Sequence, residues 1–150
     1  MTNKSEHDKT VHPQATAGLS AYLGYRDAPA AIDWLGSVAG FETTTRFPDA
    51  SGGVAHSELR IGETAIVVFS DRSGYQRAPR KGDTCGLGLY VILADQAAVE
   101  NVYGRAMAAG ATAVWEPEGN EWGNFRCRVE DPEGFEWTFG TYRPGLPQGW

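Results

Sequence analysis

Positive charge is in short supply. Thirteen lysines and arginines stand against 19 aspartates and glutamates, a net charge of -6 at pH 7. A surface field that gathers phosphates is therefore not expected, and neither is a nucleic-acid partner. Histidine and cysteine are scarcer still, three and two among 150 residues. Cys85 and Cys127 form no CxxC and have no clustered histidine. Both read as core thiols rather than as a staple or a zinc site. His7 and His12 fall in a polar stretch with no second ligand cluster, which leaves His56 as the single histidine outside it. Long apolar runs are absent too, so no bilayer span and no membrane partner are expected. Residues 1–17 also lack the apolar core of a secretion signal, and a cytoplasmic location is expected.

What is present is ordinary in bulk, 41% hydrophobic and 21% charged, and suits one domain with a core of its own. Residues 1–17 read as a disordered tail. A strand pattern over 19–25 is followed by a helical one over 28–39, with Ala31, Leu35 and Val38 on one side and Gly40 to end it. Strands over 41–47, Val54–Ile61 and Thr64–Ser70 follow, separated by PDASGG and by a two-residue Gly62-Glu63 turn. The same order, β-α-β-β-β, recurs from Gly86. A strand over 87–93 precedes a helix over 96–109 with Val99, Val102 and Ala106 inward, then Gly110 and three more strands.

The copies can be superposed in sequence. YLGYRD at 22–27 matches YVILAD at 90–95, and AGF at 39–41 matches AGA at 109–111. The stretch between them, DRSGYQRAPRKGDTCG, is a linker by composition. The domain is expected over 18–143, with module one at 18–71, a linker at 72–85, module two at 86–143, and a C-terminal tail at 144–150. A repeated unit of this size implies that each copy covers an edge the other leaves open.

The last strand carries the most specific motif, DPEGFEWTFGTY at 131–142. Asp131 can cap a tight turn, Pro132 presets φ, and Gly134 supplies a conformation other residues resist. Phe135, Trp137 and Phe139 then alternate with Glu136, Thr138 and Gly140. Aromatics occupy one face and Thr138 lies on the polar one.

The tandem modules, the AGF and AGA helix ends and the closing DPEGFEW together resemble the vicinal oxygen chelate superfamily of glyoxalases, extradiol dioxygenases and bleomycin-resistance proteins. VAHSELRIG at 54–62 and DPEGFEWTFGTYRP are most similar to its glyoxalase-like or PhnB-like subgroup. The resemblance implies an α+β fold in which two tandem β-α-β-β-β modules form a curved mixed sheet around a cleft. It also implies a homodimer, since relatives often complete the cleft across a two-fold interface.

Strand parity nominates the residues of the cleft. Ala55, Ser57, Leu59 and Ile61 are expected to pack under a helix, and Val54, His56, Glu58 and Arg60 to face away. In module two, Phe125, Cys127 and Val129 point inward, and Arg126, Arg128 and Glu130 outward. A shift of 70 residues matches His56 and Glu58 with Arg126 and Arg128. Pseudo-symmetry would set a His-Glu pair and an Arg-Arg pair on facing halves of one cavity. The arginines suit a planar anion, while a purely structural reading gives them cross-strand ion pairs. His56 is a candidate acid, base or ligand, or a satisfied structural histidine.

In metal-dependent relatives the last carboxylate ligand is the fourth residue after the Gly of DPxGxxxE. Here that residue is Thr138, a poor substitute for a carboxylate. By the same resemblance the other ligand positions fall at Ser20, at Leu89 or Gly88, and within an acid-free 64–70. No metal cofactor is therefore expected at the usual site. Glu136 with His56 and Glu58 is the one displaced alternative.

Without a metal, the resemblance leaves binding. Aromatic side chains offer a flat ligand stacking area at low entropic cost. Trp137 has core parity, whereas Trp122, in the turn EPEGNEWGNF, could close over the cleft or serve as a dimer contact. Tyr22 could join it. The expected function is to hold a small aromatic or anionic molecule with Tyr22, His56, Glu58, Trp122, Arg126, Arg128 and Thr138. The alternative is a lyase or isomerase of the glyoxalase type, in which His56 shuttles a proton and Glu58 orients it.

Overall fold

The computed structural model describes residues 17–146. The expectations for 1–16 and 147–150, His7 and His12 among them, lie outside the described residues.

Module one begins with strand β1, Ala21–Tyr25, and helix α1, Ala28–Trp34. Asp27 caps the helix by accepting the Ala30 amide, and Pro29 sits in the first turn, where its missing N–H costs nothing. The helix widens into a π turn over Leu35–Ala39 and stops at Gly40, whose φ of 83° is the left-handed conformation that closes a helix. Strands β2, Glu42–Pro48, β3, Val54–Ile61, and β4, Thr64–Ser70, complete the unit. Module two repeats it with β5, Gly88–Ile92, α2, Gln96–Ala108, β6, Thr112–Gly119, β7, Phe125–Glu130, and β8, Glu136–Gly140.

Each module is a mixed four-stranded sheet. The strand orders are β1-β4-β3-β2 and β5-β8-β7-β6, with β1 parallel to β4 and β5 parallel to β8. The fold is α+β, two β-α-β-β-β modules in tandem, as the repeat indicated. Both helices bury the faces their spacing marked: Ala31, Leu35 and Val38 on one, Val99, Val102 and Ala106 on the other. Together with Leu59, Val68, Val129, Trp137 and Phe139 they form the core. A fully buried side chain of this size contributes about 1.5–3 kcal/mol.

Three local readings change. Alternation on β3 holds from His56 to Arg60 but fails at its start, where Val54 is buried and Ala55 exposed. The β2–β3 ladder slips between Phe47 and Pro48, and the Val54 amide turns to Ser70 Oγ instead. Phe41 leaves its strand for the core, edge-on to Trp137 with centroids 5.9 Å apart. The polar face of strand β8 is not open either: Glu136 and Thr138 are each 5% exposed, with linker residues Thr84 and Cys85 against the first and Arg128 of β7 against the second.

The modules meet where the 131–135 turn abuts the start of α1. Asp131 Oδ1 accepts the Glu133 and Phe135 amides, forming the turn, and Gly134 takes φ 92°. Asp131 Oδ2 accepts the Tyr25 hydroxyl at 2.6 Å and Trp137 Nε1 at 3.0 Å. Glu133 receives the Arg26 and Asp27 amides at 2.7 and 2.8 Å. From the other side, Arg105 Nε reaches the Val38 carbonyl of the π turn at 3.0 Å. This docking sets β1 and β5 at a common junction crossed by the linker.

Candidate functional site

Register places equivalent residues in equivalent rows. Across module one the row is Tyr22, Val67, Glu58, Thr45; across module two it is Tyr90, Thr138, Arg128, Trp115. The two faces share a frame and differ in chemistry.

On module one, His56 Nε2 and a Glu58 carboxylate oxygen are 2.7 Å apart, with side chains 38% and 44% exposed. This hydrogen bond, more than any other contact, holds the Glu58 carboxyl below the usual range. His56 also lies against the Phe47 ring, centroids 6.4 Å apart.

On module two the face is a network. Arg128 donates Nε to Thr138 Oγ1 at 2.8 Å and Nη1 to the Asp83 carbonyl at 2.7 Å, and lies 3.6 Å from Glu136. Glu136 Oε1 accepts the Thr84 hydroxyl at 2.9 Å and the Cys85 amide at 3.0 Å. Trp115 lies beneath both arginines, with Arg128 3.7 Å and Arg126 4.3 Å from its ring centroid. Residues 83–85 of the linker thus cover the polar face of this sheet.

The same network decides how well the site suits a metal. Thr138 offers one hydroxyl, already held by a guanidinium whose charge opposes a second cation. Its counterpart in module one is Val67. Glu136 is committed to Thr84, Cys85 and Arg128. Among the described residues no three His, Cys, Asp or Glu side chains come together, so the displaced set of Glu136, His56 and Glu58 does not converge. These residues do not fit a divalent cation.

A pocket of about 540 Å³ opens at the junction of β1 and β5. Tyr22, Gly24 and Phe69 form its module-one side, Leu87, Gly88, Phe135 and Glu136 its module-two side, and Tyr75, Arg77 and Cys85 its linker wall. Gly24 makes that wall possible. A Cβ there would sit 3.0 Å from two carbons of the Phe69 ring and 3.6 Å from Tyr75. Gly88 likewise leaves room for the Glu136 carboxylate. The linker wall is held by Asp71, which accepts the amides of Ser73, Gly74 and Tyr75 at 2.7–2.8 Å. Burial pulls the Asp71 carboxyl upward, but these amides, with Arg77, outweigh it, and its net position is below the usual range.

Of the seven residues expected to hold the ligand, only Tyr22 lines this pocket. His56 with Glu58 and Arg126 with Arg128 lie on separate sheets without an ion pair between them. Trp122 is 76% exposed in a turn organised by Asn120, which accepts the Trp122 and Asn124 amides at 3.0 Å. Cys127 is a core thiol, whereas Cys85 sits at the pocket wall rather than in the core. Sequence reasoning passed over Phe69, Tyr75 and Trp115. The linker's composition masked Tyr75, and a bulge between Ala113 and Trp115 hid the parity of the tryptophan.

Residues 16–139 match the family described as the Glyoxalase/Bleomycin resistance protein/Dioxygenase superfamily. The chain belongs to that superfamily. Among solved structures it is similar to TioX from Micromonospora sp. ML1, at 29% identity and TM-score 0.62, over 85% of this chain and 99% of that one. The lactoylglutathione lyase of Agrobacterium tumefaciens shares the superfamily fold at 21% identity and TM-score 0.58, over 83% and 92% of the two chains. An uncharacterised protein of Mycobacterium tuberculosis, Rv0887c, is 29% identical over 126 residues, covering 81% of this chain and 72% of its own length.

Proposed function

We propose that this superfamily member binds a small, flat aromatic molecule in the pocket at the β1–β5 junction, without a metal. The observation that carries the reading is the wall built around Gly24, where the absence of a side chain lets the Phe69 ring and Tyr75 close on β1. Tyr22, 72% exposed, offers its ring at the mouth. Aromatic rings held by packing provide stacking area without further ordering cost.

A homodimer in the cytoplasm belongs to the same proposal. Trp122 and Phe47 are 76% and 58% exposed and offer rings to a second copy of the chain. Unpaired thiols suit a reducing compartment.

A second reading, a lyase or isomerase of the glyoxalase type, has one observation in its favour: the 2.7 Å contact of His56 with Glu58, a geometry fit for moving a proton. The pair shares no residue with the pocket wall, and binding is therefore the preferred reading. Thermal melting separates the two. N-phenyl-1-naphthylamine, a neutral flat probe, is expected to raise Tm, and Ni, Zn, Mn and Fe(II) to leave it unchanged. Stabilisation by one of these metals and none by the probe would reverse the preference.

A further inference from the structure

Three arginines are half-buried among the described residues: Arg77, Arg126 and Arg128. Arg77 donates to the Gly24 carbonyl and faces Glu133 at 3.5 Å. Arg128 is held by Thr138 and the Asp83 carbonyl. The Arg126 side chain has no hydrogen bond and no ion pair among the described residues, in a chain that carries six more acidic than basic side chains. Its register neighbour on β6, Glu118, is exposed and makes no ion pair with it. A half-buried cation normally recovers its lost hydration from a partner.

The surroundings of Arg126 are built rather than incidental. Trp115 underlies the guanidinium at 4.3 Å. Its register neighbour on β8 is Gly140, where a Cβ would overlap the Tyr90 hydroxyl and Asn124 Oδ1. The Tyr90 phenol therefore lies across β8 toward Arg126, fixed by donating to the Tyr142 carbonyl at 2.9 Å. In strand order the free guanidinium stands between two aromatic rings, Tyr90 from β5 and Trp115 from β6, with the Arg128 charge beside it. A fork of donors backed by a ring is the arrangement that recognises a planar oxyanion.

We propose that Arg126 is an anion-recognition residue and that the oxyanion it takes is a carboxylate. Arg126 lies outside the lining of the β1–β5 pocket, so the inference adds a second ligand site to the binding role proposed above, one for an organic acid rather than a neutral molecule. Arg126 and Arg128, equivalent by sequence, divide their labour. Arg128 organises the sheet face, and Arg126 is left for a ligand.

NMR titration of the full chain with benzoate, benzamide and inorganic phosphate tests this, read at the Arg126 Nε–H and Trp115 indole resonances. Benzoate is expected to shift both saturably and to bind about tenfold more tightly than benzamide, the worth of one charge-assisted contact. Arg126→Gln should remove that preference while leaving Tm as it is, and Arg126→Lys should keep part of it. Equal binding of benzoate and benzamide, or undiminished benzoate affinity in Arg126→Gln, would overturn the assignment. Phosphate binding more tightly than benzoate would overturn the choice of carboxylate. If the naphthylamine probe still raises Tm while benzoate fails these tests, the Arg126 assignment falls alone. If neither binds, the binding role falls with it.

Discussion

Asp131 joins local and distant structure through one carboxylate. Its Oδ1 shapes the DPEG turn, and its Oδ2 ties Tyr25 of the other module, 106 residues earlier, to Trp137. Burial drives the Asp131 carboxyl above its ordinary range despite these donors, and burial, with Asp131 beside it, raises the Tyr25 phenol far above its own. Tyr25→Phe takes one donor from a buried carboxylate and leaves its shape unchanged. We expect a loss of about 1–3 kcal/mol in urea unfolding, the cost of a buried acceptor left short. A loss within error of zero would mean the modules are held by packing alone. The turn half of this arrangement was legible in the sequence, since Asp, Pro and Gly act on their own backbone. The Tyr25 half was not, because nothing in a strand pattern says which distant carboxylate a tyrosine will meet.

At the scale of elements, glycine positions decide how the strands are covered. Gly140 ends β8 beneath the Tyr90 phenol and Asn124 Oδ1, atoms a methyl group would displace. Gly140→Ala should therefore cost about 1–3 kcal/mol by overpacking, read as a lower midpoint in denaturant, although alanine suits a strand at least as well as glycine. A neutral or stabilising result would show that Tyr90 moves freely, and would weaken the Arg126 shelf with it. Periodicity found all eight strands and both helices because burial of one face dictates it. Burial also explains where periodicity misled. The polar face of β8 is covered by linker residues Thr84 and Cys85, and only a tertiary contact reveals that Glu136 has no view of solvent. Composition marked 71–86 as a connection but could not show that Tyr75 and Arg77 would become a pocket wall.

At the scale of the molecule, two copies of one unit carry different charges on equivalent rows: Glu58 with His56 on one, Arg128 with Arg126 on the other. The pseudo-symmetry was legible; the docking of the modules through α1, the π turn and the 131–135 turn was not, because those contacts join residues far apart in sequence. Exposed rings at Phe47 and Trp122 then remain for a partner. Sedimentation equilibrium is expected to give a dimer of this 16.2 kDa chain, and a monomer at all concentrations would contradict that.

The central claim is that ligand binds where Tyr22, Phe69 and Tyr75 enclose the β1–β5 junction, and not under the more conspicuous Trp122. Fluorescence titration with N-phenyl-1-naphthylamine on the chelator-treated wild type, Tyr22→Ala and Trp122→Ala tests it most directly. Saturable binding that weakens about tenfold in Tyr22→Ala and by less than about twofold in Trp122→Ala is the predicted result. Binding that survives Tyr22→Ala and is lost in Trp122→Ala, or that disappears on chelation, would contradict it.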